Sequence, residues 1–136
     1  MPDWEDVRRI VADPPGVTES TTRGHLFWRV RDKGFVWERP LGIKDRQELG
    51  ADVPDGPILG ARTESLHAKD ALIASAPELY FTISHFDGYA AVLVRLALIP
   101  VDELRELIIE AWLAKAPPKL AREYAAAHLP EGSADH

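Results

Sequence analysis

Apolar residues recur along the first dozen positions at helical spacing. Trp4, Val7, Ile10 and Val11 share one face, Asp3 can cap the first turn, and Asp13-Pro14-Pro15-Gly16 ends the helix near Ala12. The period then shortens to alternation. His25 to Arg31 and Phe35 to Arg39 are rich in aromatic and β-branched residues, with turn chemistry at Asp32-Lys33-Gly34 between them, so a hairpin is expected. Alternation sets Leu26, Trp28 and Val30 on one face of its first strand and Phe27, Arg29 and Arg31 on the other. Ile43 to Leu49 reads as a short helix or helical turn. Ile58 to Arg62 reads as a strand once the Pro/Gly-punctuated stretch Val53-Pro54-Asp55-Gly56-Pro57 has passed.

Ser65, or the neighbouring Thr63, can cap a helix in which Leu66, Ala68, Leu72 and Ile73 face inward until Pro77 stops it. Leu79 to Ser84 and Ala90 to Ile99 carry the strongest strand signals, and Asp87-Gly88 between them is a hairpin turn former, which makes this second hairpin the expected centre of the fold. Val101, Leu104, Leu107, Ile108, Ala111 and Trp112 form one apolar stripe, with Asp102 and Glu103 placed favourably in the first turn of the helix that carries it. Pro117 and Pro118 restart the chain into a last helix over Lys119 to Ala127, with Leu120 and Tyr124 inward. The expected fold class is α+β, an antiparallel sheet of about five strands with helices packed on one face. A single domain over residues 1–128 with a frayed tail at 129–136 completes the expectation.

Composition adds exclusions rather than a function. A chain of 136 residues, 46% hydrophobic and 28% charged, can bury one core without staples. It holds no cysteine, which removes a disulfide framework, a thiolate metal site and a cysteine nucleophile and fits a cytoplasmic location. The acidic start Met-Pro-Asp-Trp-Glu-Asp does not read as an export signal, and the run Tyr89 to Val94 is far shorter than the roughly 20 residues that span a bilayer. No membrane association is expected, and the chain is expected to be a monomer or weak dimer. A net charge of −6 gives no long-range pull toward phosphate, so any nucleic-acid role needs a local patch.

Such a patch exists. From Arg23 to Arg46 stand seven basic residues against three acids, a local excess of four positive charges. Phe27, Trp28, Phe35 and Trp37 are interleaved with Arg29, Arg31, Lys33 and Arg39, so the hairpin could offer cations to phosphate and ring edges to bases. The competing structural reading puts the tryptophans in the core and the arginines on a solvated face. His85 and Asp87 could form a carboxylate-oriented base, although Asp before Gly is already explained by the turn. Asp102, Glu106 and Glu110 share a helix face that reads as solvated acidic surface, so neither a metal nor a cofactor is called for. The usual phosphate-loop, dinucleotide, zinc-protease and nucleophile-elbow fingerprints do not occur.

The run Tyr80-Phe81-Thr82-Ile83-Ser84-His85-Phe86-Asp87-Gly88-Tyr89-Ala90-Ala91-Val92-Leu93-Val94-Arg95-Leu96 resembles the MmcQ/YjbR family of small bacterial proteins. The likeness extends through Gly56-Pro57, the Lys69 helix, Asp102-Glu103-Leu104, Trp112 and Ala116-Pro117, over roughly residues 4 to 124. It implies a CyaY-like fold, that of bacterial frataxin, and DNA binding by a double wing of hairpins. The family's characteristic turn falls on His85, Asp87, Gly88 and Tyr89, with Arg95 on the following strand. Ser84, Phe86 and Ala90 depart from the threonine, tyrosine and proline often found there, so a role needing a phenol at position 86 has no group to perform it.

These readings converge on a non-enzymatic binding module. DNA would meet Arg29, Arg31, Lys33, Arg39 and Arg95, beside the turn at His85 to Tyr89. The alternative is a protein-interaction domain using exposed aromatics, above all Trp28 and Trp37. A third reading places a small-molecule site around His85, Asp87 and Arg95. Convergence of these side chains on one surface is what would separate them.

Overall fold

Polar capping and apolar periodicity place the helices. The structure is a computed structural model that describes residues 2–54 and 56–128; the tail expected at 129–136 lies outside the described residues. Helix α1 (Trp4–Val11) opens on a capping box: Asp3 accepts from the amides of Glu5 and Asp6, and Asp6 accepts from the amide of Asp3 at 2.9 Å. Helix α3 (Leu66–Ser75) opens on Ser65, whose hydroxyl accepts from the amide of Ala68 at 3.0 Å. Helices α2 (Ile43–Leu49), α4 (Val101–Lys115) and α5 (Pro118–His128) complete the set.

Six strands form one sheet: β1 (Val17–Thr22), β2 (His25–Val30), β3 (Lys33–Glu38), β4 (Ile58–Arg62), β5 (Tyr80–Phe81) and β6 (Ala91–Arg95). Their order across it is β1-β2-β3-β4-β6-β5, with every neighbouring pair antiparallel. The strand the sequence pattern hides is β1, Val-Thr-Glu-Ser-Thr-Thr, a polar edge strand with no apolar alternation to announce it. It joins β2 through Arg23-Gly24, both at positive φ, which is a two-residue primed turn with arginine where asparagine is usual. The next turn is Arg31-Asp32, with Val30 opposite Lys33 and Arg31 itself at φ 56°, so Lys33 and Gly34 belong to the strand and not to the turn.

The second hairpin is shorter than expected and stands at the margin of the sheet. β5 holds two residues and forms the edge, while β3 and β4 occupy the centre. The chain leaves the ladder after Phe81 because the donors of Ser84 are taken elsewhere: its amide and hydroxyl bond to the Glu48 carboxylate of α2 at 2.8 to 3.1 Å. A 3-10 turn over Ser84–Phe86 follows. β6 ends at Arg95, where the amides of Leu98 and Ile99 turn back to the Arg95 carbonyl.

Strand alternation then divides the sheet into two faces. Trp28, Val30, Val36, Leu59, Ala61, Tyr80, Val92 and Val94 meet α1, α3, α4 and α5 in the larger core. A bulge between Trp28 and Arg29 lets Phe35 join that side as well as Val36. Helix α4 buries Leu104, Leu107, Ile108, Ala111 and Trp112 against β3 and β4, with each leucine or isoleucine side chain contributing about 1.5–3 kcal/mol. Leu66 and Val101, expected inward, are exposed, because each is the first residue of its helix and precedes the turns that lie against the core. On the opposite face Trp37, Ile58, Phe81, Ala91 and Leu93 gather with Leu41, Ile83 and Phe86 into a smaller core, and Leu49 of α2 packs on it. The helices therefore do not all share one face: α2 and the 3-10 turn at Ser84–Phe86 cover part of the other.

Candidate functional site

Two glycines shape the uncovered part of that second face. Phe27 on β2 stands opposite Trp37 on β3. A Cβ at Gly34 would lie 2.4 Å from the Phe27 ring, and one at Gly60 would lie 2.5 Å from the Trp37 indole, so both rings lie against bare backbone. The rings are 16° from parallel with centroids 5.8 Å apart. Facing them is the turn at Phe86 to Tyr89. Asp87 at φ −60°, ψ 131° and Gly88 at φ 74°, closed by the Tyr89 amide on the Phe86 carbonyl at 3.0 Å, make it a type II turn within a longer connection, not a two-residue hairpin loop.

A buried lysine pins this turn from behind. Lys69 of α3 is 4% exposed, and its Nζ donates to the carbonyls of Phe86 at 2.7 Å and Tyr89 at 2.9 Å. Burial holds its pKa below the usual lysine value, while the carboxylates of Asp87 and Asp70 pull it back. Local pattern does not single out Lys69, since one polar residue on a helix gives no sign that it spans to a loop some 20 residues on.

Between ring floor and turn runs a groove of about 680 Å³. Its four cations come from the ends of three elements: Lys33 at the start of β3, Arg39 just after it, Arg62 at the end of β4 and Lys115 at the end of α4. His85 and Tyr89 line the wall, and no carboxylate lines the groove among the described residues. Arg62 stacks on Tyr89 with Cζ 4.4 Å from the ring centroid and donates to its hydroxyl at 2.6 Å, while its buried Nε has no acceptor among the described residues. Arg39 lies over Phe86 at 5.7 Å and is paired with Asp45 at 3.4 Å. Burial lowers the pKa of Lys115, and the neighbouring charges of Arg62 and Lys33 lower it further, so these three cations share one field.

The expected site is thus partly assembled and partly dispersed. Lys33, Arg39, His85 and Tyr89 meet in the groove. Arg29 borders it, stacked on Phe27 at 4.4 Å and donating to Ser20 at 2.8 Å. Arg31 does not join them: its left-handed turn conformation places its guanidinium beside Gly16, which also approaches Leu120 of α5. Arg95 lies over Phe81 at 4.6 Å and donates to the Asp52 carbonyl at 3.1 Å, lining a separate hollow with Pro54 and Leu98. Asp87 is spent near Lys69, and no hydrogen bond or ion pair joins it to His85 among the described residues. His85, Asp87 and Arg95 therefore share no pocket. Gly88 supplies only the turn.

Arg62 and Lys115 were missed. Arg62 reads as the polar end of a buried strand, and Lys115 as the basic residue that a helix C-terminus favours, so neither spacing nor composition marks them. The aromatics expected to meet a partner are interior: Trp28 is 1% and Trp37 8% exposed, and Trp4 stacks on Trp28 at 6.4 Å.

Comparison with known proteins agrees with this architecture. The YjbR family model matches residues 12–114. The chain is 48% identical over 129 residues to uncharacterized protein Rv2570 of Mycobacterium tuberculosis and, to the same degree, to uncharacterized protein Mb2600 of Mycobacterium bovis, covering 93% of this chain and 98% of each relative. The crystal structure of Deinococcus radiodurans protein DR2400, with family-model domain DUF419, superposes with a TM-score of 0.65 at 18% identity, over 100% of this chain and 97% of that one. The likeness to that structure is one of fold. With a family model matched over most of its length, this chain belongs to the YjbR family.

Proposed function

We propose that the chain is a nucleic-acid-binding module whose contact surface is the groove between the β2–β3 hairpin and the turn at His85 to Tyr89. The observation that carries this reading is the meeting of Lys33, Arg39, Arg62 and Lys115 around aromatic rings with no lining carboxylate, on a protein whose net charge is −6. An acidic protein that brings four cations to one concavity, of which only Arg39 is paired with a carboxylate among the described residues, has an electrostatic reason to hold an anion there. The rings add surfaces that tolerate any base. The reading keeps the hairpin-wing idea and moves its chemistry: Arg31 and Arg95 leave the surface, and Arg62 and Lys115 enter it.

Fluorescence anisotropy with labelled single-stranded and duplex DNA at low salt tests the proposal. Binding with a log K against log salt slope of about −2 to −3 is expected for four phosphate contacts on a single strand. Lys33→Ala with Arg62→Ala should abolish binding, whereas Arg31→Ala should leave it intact. No binding below about 100 μM, or binding indifferent to the groove substitutions, would sink the proposal.

A further inference from the structure

Three of the groove cations are concentrated at one corner. Lys33, Arg62 and Lys115 arrive from the start of β3, the end of β4 and the end of α4, and each of the first two depresses the proton affinity of the third. None of the three is paired with a carboxylate among the described residues; the ion pairs there engage Arg8, Arg9, His25 and Arg39. Arg62 is further fixed by its stack on Tyr89, which orients the planar donor face and leaves its charge uncompensated. Holding like charges together in a partly desolvated corner is unfavourable until an anion arrives, and the gain on arrival scales with the anion's charge.

An internal phosphodiester brings one negative charge to such a corner. A phosphate monoester brings about 1.5 to 2 at neutral pH and three acceptor oxygens. The groove volume of about 680 Å³ lies within the usual range for small-ligand sites, so a single nucleotide unit can enter it while a paired, stacked base cannot without being extruded. Phe27, half-buried, and Tyr89, 39% exposed, stand in the same groove, where the planar group carried by a monoester would lie.

Resting on the nucleic-acid reading and narrowing it, we propose that the groove selects a nucleoside monophosphate unit, its terminal phosphate held by Lys33, Arg62 and Lys115. That unit could be the phosphorylated end of a single strand or a free nucleotide, and the experiment separates the two sources. Two single-stranded oligonucleotides of one sequence, labelled at the 3′ end and differing only in a 5′ phosphate or 5′ hydroxyl, are compared by anisotropy. Adenosine monophosphate, adenosine and inorganic phosphate serve as competitors and as ligands in calorimetry. The phosphorylated strand should bind about ten-fold tighter or more. Adenosine monophosphate should compete where adenosine does not, and Lys115→Gln should erase the difference between the two strands. Lys115→Gln should also keep its melting temperature, because it removes repulsion; Lys115→Met provides a second variant if it does not. Equal, salt-dependent binding of both strands without competition by the monophosphate would overturn this inference and leave the nucleic-acid reading standing. Binding of the monophosphate alone would uphold it and end the nucleic-acid reading. Failure of every ligand would end both.

Discussion

Lys69 shows how a single residue can organise a site it does not line. Its ammonium replaces solvent for two carbonyls of the His85 to Tyr89 turn, and its burial makes the charge unfavourable without them. Lys69→Met keeps the length and apolar stem but leaves both acceptors without their donor. A loss of about 2–3 kcal/mol in urea unfolding is expected, since an unsatisfied buried acceptor costs about 1–3 kcal/mol. Hydrogen exchange should show faster opening at the Asp87, Tyr89 and Ala91 amides, which close this turn, while α4 stays protected. Uniform loss of protection across the molecule would show instead that Lys69 supports the whole fold and not the turn.

At the scale of elements, two buried tyrosines tie separate pieces together. Tyr80 of β5 donates to Glu103 of α4 at 2.5 Å, and Tyr124 of α5 donates to Asp13 beyond α1 at 2.9 Å. Burial first, and then the accepting carboxylate, raises both phenol pKa values: that of Tyr124 is pushed up to about 12, and that of Tyr80 rises too. An acid whose pKa rises on folding holds its proton more tightly in the folded state. Its contribution to stability is complete below the unfolded value of 10.0 and is lost as pH climbs from there towards about 12. Denaturant midpoints should therefore fall between pH 10 and 12, at up to about 1.4 kcal/mol per pH unit for each proton. Tyr124→Phe should flatten that fall, and an unchanged pH profile in this variant would remove Tyr124 from the account.

For the whole molecule, the two cores are the two faces of one sheet, with Leu93 and Ala91 alternating with Val92 and Val94 along a single strand. Neither face can unfold while the other keeps its strands, so one cooperative transition is expected over residues 2–128. Far-UV circular dichroism and tryptophan emission should report one urea midpoint, and should do so again in a variant with Trp4, Trp28 and Trp112 replaced by phenylalanine, where Trp37 of the second face is the sole reporter. Separate midpoints would mean that the groove face opens on its own. Among the described residues no helix is long and apolar enough to cross a membrane.

By itself the sequence determined the helices, the α+β class and most of the strands, because each is written in local code: a cap at Asp3 or Ser65, a 3.6-residue stripe through Leu104 to Trp112, an alternation from Leu26 to Val30. It also located the turn at Asp87-Gly88. It missed β1, whose polar residues need only one partner strand, and overextended β5, whose ladder is cut short by the Glu48 carboxylate of another element. The site was the least legible part. Lys33, Arg39, His85 and Tyr89 lay within stretches that local pattern marked, but Arg62 and Lys115 joined them only because β4 and α4 end at the same corner. Which of several arginines face one groove depends on turn conformation at Arg31, strand order at Arg95 and ring placement over Gly34 and Gly60. Those are long-range consequences of packing, and no window of neighbouring residues contains them.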